Sequence, residues 1–123
     1  MAIPTIVLQL DQPGQPDLLL NISDVEVYQF TYTQASNGAP IDFTGLTGTW
    51  DVRDAAGATV IAGSATCGNG YVNVTIPSAV TVTIIPPVGT VPGVPWTVGT
   101  FRLRVSDGTD TKTLEENAIL GMV

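Results

Sequence analysis

Thirteen glycines and nine prolines interrupt this 123-residue chain at short intervals. Helix signals are almost missing between them, and the intervening segments are rich in Val, Ile and Thr, whose branched side chains suit a pleated strand. The class read from this punctuation is all-β. Strand candidates are Thr5 to Leu10, Asp17 to Ile22, Val25 to Thr33, Gly48 to Arg53, Thr59 to Ala62, Tyr71 to Ile76, Thr100 to Ser106 and Thr111 to Leu120, each bounded by turn residues. Ser36-Asn37-Gly38-Ala39-Pro40, Asp54-Ala55-Ala56-Gly57 and Ser106-Asp107-Gly108-Thr109-Asp110 carry hairpin chemistry. Pro77-Ser78-Ala79 offers the start of a single helical turn between strands.

Alternation within the strands says which side chains face inward. From Val25 to Thr33 one face carries Glu26, Tyr28, Phe30 and Tyr32, and this aromatic face is the core candidate. Trp50 and Val52 oppose Asp51 and Arg53, and Phe101, Leu103 and Val105 oppose Arg102 and Arg104. Tyr28, Phe30, Trp50, Phe101 and Leu103 are therefore assigned to the core. Tyr71, Asn73 and Thr75 alternate with Val72, Val74 and Ile76 in the same way.

Composition narrows the function classes. The chain is 44% hydrophobic and only 12% charged, so much of its surface is uncharged polar or apolar, which suits lateral contacts. Eleven carboxylates face four cations, Arg53, Arg102, Arg104 and Lys112, giving a net charge of −7. Phosphate backbones and anionic lipid are repelled, so neither nucleic acid nor membrane is an expected partner. There is no histidine, the commonest general base and metal ligand. Cys67 is alone, which rules out an intrachain disulfide and reads as a small buried hydrophobe. The first ten residues lack the basic n-region and cleavage site of a signal peptide, and no apolar run reaches the ~18 residues of a membrane span. The sequons at Asn21 and Asn73 are accordingly read as accidental.

Two stretches stand outside the domain pattern. Residues 1–24 read as an N-terminal arm with two apolar strand-like segments joined by Asp11-Gln12-Pro13-Gly14-Gln15-Pro16, leaving 25–123 as the domain. The arm is expected to add an edge strand to its own sheet or to pair with a neighbouring copy. Residues 86–99 read as a long apolar loop, because its prolines cannot donate to a central ladder. The candidate contact residues are Ile6, Leu8, Leu18, Leu20, Val91, Val94 and Trp96, each weighed against ordinary burial in the chain's own core.

Several motifs, in their order, carry a resemblance. Tyr28-Gln29-Phe30-Thr31-Tyr32 is followed by Asn37-Gly38-Ala39-Pro40, then Ile41-Asp42-Phe43-Thr44-Gly45, then a strand ending in Val52-Arg53-Asp54 with a turn at Gly57. Val74-Thr75-Ile76-Pro77, Gly99-Thr100-Phe101-Arg102-Leu103-Arg104-Val105-Ser106-Asp107-Gly108 and Thr113-Leu114-Glu115-Glu116-Asn117 follow. Over about residues 25–123 this resembles the N-terminal domain of the phage baseplate upper protein family. The resemblance implies an immunoglobulin-like antiparallel β-sandwich that serves as an attachment and packing module in a bacteriophage virion, made in the host cytoplasm. The loop at 86–99 is longer than that pattern, and no receptor-binding or stalk region follows residue 123.

An enzymatic role is not expected, since without histidine a Ser or Cys67 nucleophile would depend on Lys112 or a carboxylate with no supporting motif. Asp51, Asp54, Asp107 and Asp110 read as turn formers and surface carboxylates rather than calcium ligands, and no cofactor or metal is expected. Glu115 and Glu116 are expected at a solvated edge or opposite Arg102 or Arg104. The leading reading is a tail, baseplate or fibre-attachment protein that binds copies of itself and other virion proteins as a homo-oligomer. The alternatives are a capsid decoration protein of the same fold and a host-glycan-binding module using Trp96, Tyr71 or Tyr32.

Overall fold

The computed structural model describes residues 18–34 and 37–123. Seven strands and one short helix follow in order: β1 Leu18–Asn21, β2 Glu26–Thr31, β3 Thr47–Arg53, β4 Thr59–Gly68, β5 Tyr71–Ile76, α1 Ser78–Thr81, β6 Trp96–Ser106 and β7 Thr111–Met122. They form one mixed sheet in the order β1-β7-β6-β3-β4-β5-β2, nearly closed on itself. The architecture is therefore all-β, between a sandwich and a barrel. Thr5 to Leu10, with Ile6 and Leu8, lies outside the described residues.

The sheet is not wholly antiparallel, as the sequence reading had it. β1 runs parallel to β7, with Leu18 opposite Ile119 and Asn21 opposite Met122. The two strands come from opposite ends of the described chain and are not joined by a hairpin, so no tight turn imposes an antiparallel register. Residues 18–21, read as part of the arm, thus form an edge strand of the chain's own sheet.

The core sits where the alternation placed it. Trp50, Val52, Val72, Val74, Ile76, Phe101, Leu103 and Val105 are buried, and Tyr28 and Phe30 pack half-buried against them. Phe101 stacks on Phe30 at 5.9 Å and on Trp50 at 6.3 Å between ring centroids, while Tyr28 meets it edge-on at 6.2 Å. The segment between β2 and β3 closes one end of the sheet with buried Tyr32, Ile41, Phe43 and Leu46. Asp42 lies between inward Ile41 and Phe43, and its Oδ1 accepts from Thr44 N–H at 2.9 Å. α1 and buried Ile84 close the other end, tied there by Thr81, whose hydroxyl donates to the carbonyls of Asp24 and Ser78.

Each tryptophan rests on a cross-strand glycine. Trp50 is opposite Gly63 and Trp96 opposite Gly121, and a Cβ at either glycine would lie 2.8 Å or 2.7 Å from the indole. This explains where the loop ends: its last proline is Pro95, so the chain is free to pair from Trp96 onward. Residues 96–99, read as loop, therefore begin β6.

Candidate interaction surface

Between Asp54 and Arg102 the chain contains no Asp, Glu, Lys or Arg. In the fold this run supplies β4, β5, α1, the loop to Pro95 and the start of β6. Elsewhere the charges concentrate, so the molecule has two unlike walls.

The charged wall is the outer face of β3, β6 and β7. Alternation places Asp51, Arg53, Arg102 and Arg104 there, and the register sets Ala62, Asp51, Arg102 and Glu116 in one row across four strands. Arg102 donates Nε to Asp51 Oδ1 at 3.3 Å and Nη2 to Oδ2 at 3.2 Å. Arg104 and Arg53 each reach Oδ2 at 3.5 Å. Three of the four cations in the chain thus converge on one carboxylate. Burial of Asp51 opposes its ionisation, but the Arg102 hydrogen bond and the charges of Arg102, Arg53 and Arg104 outweigh it and hold the carboxyl below its ordinary value. Arg102 is in turn held above its usual range by Asp51 first, with Glu116 adding to it. Glu116 was expected to meet Arg102; Glu115 instead faces inward and accepts from the Tyr32 hydroxyl at 3.1 Å. Burial is the main reason the Tyr32 phenol is pushed far up.

The uncharged wall is built differently. β4 pairs with β3 from Thr59 to Ala65, but with β5 only from Ala65 to Gly68. Among the described residues, the stretch from Thr59 to Ser64 therefore has a strand on one side alone. Its outward residues Ala62 and Ser64 are exposed, as are Thr66 and Thr75 further along the wall. Cys67 is half-buried here, and burial raises its thiol.

The loop from residue 82 to 95 is likewise uncharged. Two successive turns shape it: Thr90 N–H donates to Pro87 carbonyl at 3.1 Å, and Val94 N–H to Val91 carbonyl at 3.0 Å. Gly89 and Gly93, third in each turn, have φ of 89° and 81°, which a side chain would resist. Gly93 N–H also donates to the Val123 carbonyl at 3.0 Å, tying the loop to the end of β7. The turns hold Val88, Val91 and Val94 outward, and with Val82 and Ile85 they are all more than half exposed. An ordered loop that displays branched apolar side chains is unlike the solvated loops of most domains.

The sequence-predicted contact residues divide under this geometry. Val91 and Val94 stand exposed on the loop. Leu20 is fully buried and is a core residue, because its position opposite Gly121 turns it inward. Leu18 is half-buried and packs on the core, and Trp96 does the same over Gly121. Sequence reasoning missed Ile85, Ala62 and Ser64, and it read Val88 as able to bury area against a partner without counting it among the contact residues; the signal was the charge-free run itself, visible without any structure.

The two ends of the sheet order meet at a seam closed by side chains. Glu26 Oε1 accepts from both the backbone N–H and the Nδ2 of Asn21 at 3.0 Å, and the Tyr28 hydroxyl donates to the Leu19 carbonyl. β2 thereby satisfies backbone groups on the open edge of β1, which protects that edge from added strands. Comparison of the chain with family models, with curated proteins and with solved structures finds no match.

Proposed function

We propose that this chain is a non-enzymatic assembly module, an immunoglobulin-like domain that serves as a structural component of a bacteriophage tail, baseplate or fibre attachment. The observation that carries the assembly reading is the charge-free run from Ala55 to Phe101, whose 82–95 loop exposes its valines and Ile85. Depletion of charge with retained apolar side chains is the compositional mark of an interface centre. A net charge of −7 makes such a region the part of the surface where another protein meets least repulsion. The phage assignment rests on the ordered motifs from Tyr28 to Asn117 that resemble the baseplate upper protein domain.

A glycan-binding role finds less support. Tyr32 is buried, while Trp96 and Tyr71 each have one ring face against a glycine, Gly121 and Gly68 respectively. The deciding experiment is localisation of the chain in purified phage particles by cryo-electron microscopy, together with a variant in which residues 88–94 are replaced by a Gly/Ser segment. Density in threefold or sixfold rings at the tail end, lost in the variant, is the expected result. Density on the capsid lattice would reassign the chain as a decoration protein, and absence from particles would end the virion reading.

A further inference from the structure

We infer that β1 is an exchangeable strand, which leaves its own β7 and takes the same place on β7 of a second copy by opening a hinge at Ser23. This deepens the assembly reading, naming a second copy of the chain as a partner. β1 is joined to β2 by residues 22–25 alone, while its partner β7 lies at the other end of the sequence. The parallel register from Leu18–Ile119 to Asn21–Met122 therefore needs no connection between the two strands, and it forms equally well within one chain or between two. Ser23 has φ of 72° and is the one non-glycine among the described residues in the left-handed region. A side chain there is strained, and the strain lasts only while the turn is closed by the bond from Asp24 N–H to the Asn21 carbonyl at 3.2 Å. A short hinge under strain favours exchange, because opening it lets the backbone extend.

A second copy is the occupant because the site is already shaped for this segment. Leu20 is fully buried opposite Gly121, Ile22 N–H donates to the Met122 carbonyl at 3.0 Å, Glu26 accepts from Asn21, and the Tyr28 hydroxyl donates to the Leu19 carbonyl. After exchange each of these contacts is made again by the same residues of two chains. What is lost is the turn bond at Asp24 and the independent motion of the two molecules, and what is gained is a relaxed Ser23. Exchange is reciprocal between identical chains, so two copies close on each other with no strand left over.

The test traps the exchanged pairing. Leu19 and Leu120 are opposite each other on the outward side of β1 and β7, at a spacing that a disulfide spans. In a Cys67→Ala background, full chains carrying Leu19→Cys are mixed at high micromolar concentration with chains carrying Leu120→Cys and oxidised. A chain carrying both substitutions is expected to close the disulfide within itself when dilute. In the mixture, links between the two kinds of chain are expected to exceed links between two Leu19→Cys chains, with a yield that rises with concentration. Ser23 is exposed, so substitution there changes the backbone preference with little else. Ser23→Gly, which accepts positive φ, is expected to lower the yield several-fold, and Ser23→Val, which resists it, to raise it. Mixed links no more frequent than links between like chains overturn the exchange, as does a yield that is the same for Ser23→Gly and Ser23→Val. A chain that never exchanges yet enters particles overturns this inference and leaves the assembly reading standing, whereas exchange by a chain absent from particles removes the virion reading and keeps this one.

Discussion

The outer face of β3, β6 and β7 and the wall formed by β4, β5 and the 82–95 loop belong to one sheet but solve the problem of an outer surface in opposite ways. On the first, three guanidinium groups surround Asp51, and every ladder position of β3 from Thr49 to Arg53 has a partner strand on both sides. Its polar groups are engaged within the molecule. On the second, charge is absent, part of one strand has a neighbouring strand on one side alone among the described residues, and an ordered loop holds valines in solvent. The difference teaches that a chain with few charges can concentrate them where they hold its own strands together, leaving the rest of the surface uncharged.

The largest expected effect lies beneath both walls. Phe101, on β6, stacks against Trp50 and against Phe30 across the core, so Phe101→Ala is expected to destabilise folding by about 3 to 5 kcal/mol. Chemical denaturation measures it, and a loss below about 1 kcal/mol would mean that the two walls are not joined through this ring.

The charged wall gives the next effect. Asp51→Asn removes the carboxylate from three arginines and is expected to cost about 1.5 to 3 kcal/mol, the range for hydrogen bonds to charged groups. The sign with pH follows from a folded-state value held below the ordinary 3.8. The unfolded chain binds this proton first on acidification, so the Asp51 contribution is full above that ordinary value and is lost as pH falls through the lowered one. Melting temperatures of wild type and Asp51→Asn should therefore converge at the acid end. A constant gap between them would show that the ion cluster contributes no pH-dependent stability.

Smaller changes sharpen the contrast at the edges. Tyr28→Phe removes the bond to Leu19 at the seam and should cost about 1 kcal/mol, with faster amide exchange in β1. Val88→Ser with Val91→Ser should leave folding stability within about 0.5 kcal/mol, since both side chains already face solvent. The same double variant should weaken incorporation into particles, and a stability loss without any loss of incorporation would move the loop from interface to scaffold.

The legibility of the molecule follows the reach of each physical cause. Alternation in β3 and β6 placed Trp50, Val52, Phe101, Leu103 and Val105 inward because side-chain direction along a strand is a local property. The single turn at Ser78 was legible from Pro77 for the same reason. The loop boundary was misjudged by four residues, because Trp96-Thr97-Val98-Gly99 gains its partners from Leu120 and Gly121, far along the chain. Leu20 could not be told from a contact residue, since a lone apolar run looks the same whether its neighbour is its own β7 or another molecule.

By itself the sequence determined an all-β chain, an aromatic core, a surface poor in charge and a long uncharged segment, because these depend on residue type and short-range spacing alone. Only the tertiary structure decided that β1 lies parallel to β7, that three arginines share Asp51, and that β4 takes β5 as its second neighbour only from Ala65 onward. Those features depend on which distant strands become neighbours, and no local preference in the chain specifies that choice.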